Sequence, residues 1–152
     1  MMFKIITFMG SQSIDNNMVI NALYTVISSI NSTLKGINND RNATNVINEL
    51  EKLDLNHYVF VLKTFIDENK HNCNSISIAI AGINEILEKI NYELSSINAK
   101  LYKHMNKFFY NYRILDCNVN IKNLKKYKSI LHQRYDLLIS IFRVSSDRLN
   151  NA

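Results

Sequence analysis

Eight cationic side chains stand between positions 100 and 128: Lys100, Lys103, Lys107, Arg113, Lys122, Lys125, Lys126 and Lys128, with Asp116 the only acid among them. The same stretch holds Tyr102, Phe108, Phe109, Tyr110, Tyr112 and Tyr127, more rings than one buried seam accommodates. Lysine and arginine neutralise phosphates or carboxylates, and aromatic faces stack on bases or settle at a lipid headgroup boundary. The pattern therefore points to an anionic partner, with Tyr110 the ring to stack on a base. An acidic protein, a nucleic acid and an anionic membrane all satisfy that chemistry. A lysine-rich helix end also has a plainer role, as a solvated surface that complements a helix dipole.

Catalytic patterns are not found. The sequence has no glycine-rich phosphate loop, no Cys-x-x-Cys, no His-Glu-x-x-His and no nucleophile elbow. His71-Asn-Cys73 supplies two metal ligands where a site needs three or four. Glu85, Glu88 and Glu93 share one helix and read as a solvated face rather than an acid–base pair. His104 sits at a core position of a repeat described below, where its ring tip is expected to reach water or a carbonyl. No enzyme, cofactor or metal is expected. Cys73 and Cys117 fall at opposite ends of a long helix, roughly 50 Å apart at about 1.5 Å per residue, so both are expected as free thiols.

What positions the basic cluster is a repeat. Ile76, Ile80, Ile83, Leu87, Ile90, Leu94, Ile97, Leu101, His104 and Phe108 alternate in steps of four and three, with leucine or phenylalanine from Leu87 onward at one core position and isoleucine at the other until His104. This spacing predicts a heptad-repeat helix over about 75–112, its seam centred on Ile83, Leu87, Ile90, Leu94, Ile97 and Leu101. Leucine and isoleucine in this order favour higher-order assembly in parallel coiled coils, but adjacent amphipathic helices offer the seam a partner within the chain. A C-terminal helix over about 118–149 carries Ile121, Leu124, Leu131, Tyr135, Leu138 and Phe142. The short corner at 116–120 makes the two antiparallel neighbours, which brings both arms of the basic cluster to one end.

Upstream, Asp15 or Ser13 caps a helix with its stripe at Ile20, Leu23, Ile27, Ile30 and Leu34, expected to end at Gly36. A shorter helix holds Val46, Ile47, Leu50 and Leu53. Asp54 caps the next, with Tyr58, Val59, Leu62, Phe65 and Ile66, unless the two form one bent rod. The fold class expected is all-α, an antiparallel helical bundle of four to five helices, in one domain over 1–152 whose first dozen residues are irregular.

With 152 residues, 47% of them hydrophobic and 20% charged, the chain has enough apolar surface for one core. The absence of proline permits long helices. Residues 1–75 carry six basic and seven acidic side chains and residues 76–152 twelve and six, so the net charge of +5 comes from the second half. Asparagine and isoleucine each number above 20. Their codons are A/T-rich, which points to an AT-rich genome such as a large DNA virus, a protozoan parasite or certain bacteria. No apolar run approaches the ~20 residues that cross a bilayer, and the apolar start is too short for a secretory signal, so a cytoplasmic location is expected. The function expected is a non-catalytic helical interaction module that docks a protein partner on the basic–aromatic end or an exposed part of the seam. Nucleic-acid or anionic-membrane binding and structural self-assembly as a homo-oligomer are the alternatives.

Overall fold

Asp15 starts the first helix. Its backbone stays extended while its carboxylate accepts hydrogen bonds from the N–H groups of Asn17 and Met18 at 3.0 and 3.4 Å, which satisfies two donors that no helical carbonyl reaches. The computed structural model describes residues 15–40, 43–69, 73–107 and 115–151. Five helices account for 90% of them: α1 (Asn16–Asn38), α2 (Thr44–Leu53), α3 (Leu55–Glu68), α4 (Asn74–Met105) and α5 (Asn118–Asn150). No strand occurs among the described residues.

Two helix ends and one cap differ from those expected. α1 runs through Gly36 to Asn38. A glycine inside a helix costs about 1 kcal/mol against alanine, whereas Ile37, fully buried one residue on, contributes ~1.5–3 kcal/mol by leaving water. The break between α2 and α3 is at Asp54, as expected, but its side chain caps nothing. Asp54 instead adopts the left-handed conformation (φ 48°, ψ 39°), and its N–H donates to the Glu51 carbonyl. Aspartate tolerates that conformation better than most residues, so the pair is two helices rather than one bent rod. α4 ends at Met105, about two turns before 112. Leu101 is its last buried apolar residue; from Tyr102 to Lys107 no buried apolar side chain offsets the entropy of extending the helix. Phe108, the next core position, lies outside the described residues.

The heptad seam is buried within the chain: Ile76, Ile80, Ile83, Leu87, Ile90, Leu94, Ile97 and Leu101 are all 2% exposed or less. Ala79 and Ile86 are buried beside them because α4 has a helix on each flank, α1 and α5, which widens its apolar stripe beyond a two-position seam. An exposed seam is therefore not a docking surface over 76–101.

Cross-contacts fix the directions. Asn16 accepts from Ser77 Oγ at 3.0 Å and Asn91 from Ser29 Oγ at 3.2 Å, so α1 and α4 run parallel. Arg134 donates to the Gly82 carbonyl and Asn123 to Glu93, so α4 and α5 are antiparallel, as expected. The α2–α3 pair runs parallel to α5: Glu49 meets Lys125, Tyr58 meets His132, and the Phe65 and Phe142 rings meet edge to face at 5.1 Å. Tyr24 donates to Asp67, which ties α3 to α1. The buried residues of all five helices form one cluster.

Candidate anion-binding end of the bundle

The antiparallel α4–α5 pair brings the last turns of α4 together with the first turns of α5, as the hairpin requires. There the expected site residues separate into three groups. Lys103, Lys107, Lys122 and Lys126 are exposed, and none of their side chains makes an ion pair or hydrogen bond among the described residues. Lys122 and Lys126 are four residues apart on α5, so they stack on one helix face, while Lys103 lies in the last turn of α4 and Lys107 two residues beyond its end. Lys100, Lys125 and Lys128 do not join that open surface. Lys100, half-buried, donates to Asn120 Oδ1 at 2.6 Å. Lys125 pairs with Glu49 of α2 at 3.1 Å, and Lys128 is half-buried. Tyr110 and Arg113 lie outside the described residues, as do Phe108, Phe109 and Tyr112. Of the two remaining rings, Tyr102 is 72% exposed and Tyr127 packs partly on the core.

The count of one acid also changes in three dimensions. Glu49 reaches Lys125 from α2 and holds Lys52 at 2.7 Å. Its carboxyl is pulled below its usual range first by hydrogen bonding to Lys52 and then by Lys125. Glu93, read above as part of a solvated face, is only 6% exposed. Its two carboxylate oxygens accept from Asn120 Nδ2 at 2.7 Å and Asn123 Nδ2 at 3.1 Å. A buried carboxylate is tolerated because charge-assisted hydrogen bonds replace its water. Glu85 and Glu88 are exposed, and Glu85 lies 3.6 Å from Lys89 and 3.7 Å from Arg134.

Glu93, Asn120 and Asn123 were missed as a unit by the sequence reading. A signal existed: Glu93 directly precedes the seam residue Leu94 and Asn120 directly precedes Ile121, so both flank an apolar stripe. In a chain so rich in asparagine that placement does not stand out.

Both cysteines are free and both stand at the residue before a helix, Cys73 before α4 and Cys117 before α5. Cys117 is buried, and burial pushes its thiol up, with the Lys100 charge opposing and Asp116 adding to the shift. Cys73 is pulled down by the Ile76 and Ser75 N–H groups at the start of α4. His71 lies outside the described residues, and among the described residues no three His, Cys, Asp or Glu side chains gather as a metal site requires. His104 is half-buried in the last turn of α4. No helix among the described residues is long and apolar enough to cross a membrane.

Compared with known proteins, the chain matches no family and no solved structure. It is 31% identical over 93 residues to an uncharacterized protein of Acanthamoeba polyphaga mimivirus, an overlap of 61% of this chain and 44% of that protein. The match thus spans less than half of that relative's length.

Proposed function

We propose that this chain is a non-catalytic helical interaction module of viral origin whose cationic end docks an acidic segment of a protein partner. The observation that carries the reading is the set of four exposed lysines, Lys103 in the last turn of α4, Lys107 just beyond it, and Lys122 and Lys126 on α5, at the end of two helices whose apolar faces are already buried by their own chain. All four are lysines, compact and strongly hydrated charges suited to diffuse electrostatic recognition rather than to the planar bidentate grip of arginine. Lys125 supplies an internal precedent: it takes the carboxylate of Glu49 from a neighbouring amphipathic helix. Viral origin is supported by the A/T-biased residue usage and by the mimivirus relative.

Tyr102, exposed beside Lys103, favours a second reading in which the same end binds single-stranded nucleic acid or an anionic membrane. Fluorescence anisotropy with a labelled poly-glutamate peptide, a labelled single-stranded oligonucleotide and vesicles containing phosphatidylserine separates the readings. The proposal expects the peptide to bind, with affinity that falls as salt rises. Tight oligonucleotide or vesicle binding without peptide binding selects the second reading, and binding of none of the three at moderate salt overturns both.

A further inference from the structure

Lys100, Asn120 and Glu93 form a continuous hydrogen-bonded line across the α4–α5 interface: Lys100 Nζ to Asn120 Oδ1 at 2.6 Å, then Asn120 Nδ2 to Glu93 Oε2 at 2.7 Å. The direction of the amide is dictated by its neighbours. An ammonium only donates and a carboxylate only accepts, so the carbonyl of Asn120 must face Lys100 and its NH2 must face Glu93. The reversed amide would set donor against donor and acceptor against acceptor. Asn123 holds the second Glu93 oxygen and fixes the carboxylate in place. Glu93 and Asn120 are 6% and 5% exposed, so water is a poor substitute for either partner.

We infer that this line is an internal latch on the cationic end: Glu93, acting through Asn120, withholds the Lys100 ammonium from an external carboxylate. The inference rests on the proposed docking of an acidic segment. Lys100 shares a face of α4 with Lys103, three residues on, and would otherwise add to the cationic surface there. An incoming anion that takes Lys100 strips Asn120 Oδ1 of its donor inside a nearly closed interface, so the gain at Lys100 is offset by a loss at the start of α5. Binding and order at the α4–α5 joint are linked, and the linkage is reciprocal.

The test is a double-mutant cycle on poly-glutamate binding, read by anisotropy over a salt series. Lys100→Gln in the wild-type background is expected to change affinity less than Lys122→Gln does. Glu93→Gln, which removes the internal anion, is expected to raise affinity about threefold to tenfold and steepen the salt dependence by about one released ion, as one more lysine in contact requires. Lys100→Gln added to Glu93→Gln should cancel that gain. Equal effects of Lys100→Gln in the two backgrounds, or an unchanged Glu93→Gln affinity, overturn the latch while leaving wild-type docking intact. Failure of the wild type to bind overturns the docking reading and the latch with it. Hydrogen exchange keeps the test open if Glu93→Gln does not fold. In the wild type, saturating peptide should speed exchange over 118–123, and unchanged or slower exchange there overturns the latch.

Discussion

The ring of Tyr58 on α3 meets that of Tyr135 on α5 edge to face, with centroids 5.8 Å apart and planes at 69°. Phe65 and Phe142 continue the row, and the Tyr58 hydroxyl lies 3.1 Å from His132 Nδ1. This aromatic row seats α3 on α5.

Burial, with the charges of Asp136 and Tyr135 adding to it, pushes the Tyr58 hydroxyl up from 10.0 to about 12. The neutral phenol is thus favoured in the folded chain. Its contribution to stability is fully present below pH 10 and is lost as pH rises towards about 12. Denaturant melts at rising pH should show stability declining over that window, and Tyr58→Phe should make the decline shallower. Tyr24, raised to about 12 by burial and by Asp67, remains in the variant, so a residual slope is expected. A Tyr58 that titrates near 10 by ultraviolet difference spectra would mean that α3 is not seated on α5.

Leu94 is fully buried in the middle of α4, between seam neighbours Ile90 and Ile97 that are equally buried. Leu94→Ala should lower stability by ~2–5 kcal/mol, because the cavity adds to the lost transfer energy. Urea denaturation measures this. A cost below ~1 kcal/mol would show that the seam is not enclosed at this point.

Glu49 bridges Lys52 on its own helix and Lys125 on α5. A carboxyl whose folded value is depressed favours the folded state above its unfolded value of 4.5 and ceases to do so as pH falls through the lowered one. Carbon-detected NMR titration should find Glu49 below 4.5, and Lys125→Gln should move it back upward without abolishing the shift, since the Lys52 hydrogen bond is the larger cause. No movement in Lys125→Gln would mean that α2 does not lie against the first turns of α5.

Periodicity made the helices legible wherever apolar residues recurred without interruption. The Ile76–Leu101 spacing located α4 and its inward face, and the Ile121–Phe142 stripe located α5 to within a residue or so. Burial overrode local chemistry at the ends: Ile37 carried α1 past Gly36, and the end of buried packing after Leu101 stopped α4 short. The charge of the α4–α5 end was legible, but its availability was not. Whether a lysine is open or occupied depends on residues distant in sequence, as Glu49 is from Lys125 and Glu93 from Asn120. A run of lysines against Asp116 alone says nothing about carboxylates delivered by other helices.

The central claim is that four open lysines, Lys103, Lys107, Lys122 and Lys126, carry anion binding at one end of the bundle. The most direct measurement is the slope of log affinity for a poly-glutamate peptide against log salt, for the wild type and for the variant with all four changed to glutamine. The account predicts a clear negative slope for the wild type and a much shallower one, with weaker binding, for the variant, because each lysine in contact contributes to the salt dependence. The same four changes should leave thermal stability within about 1 kcal/mol, as exposed substitutions do. A variant that folds normally and binds with wild-type affinity and wild-type slope would contradict the account.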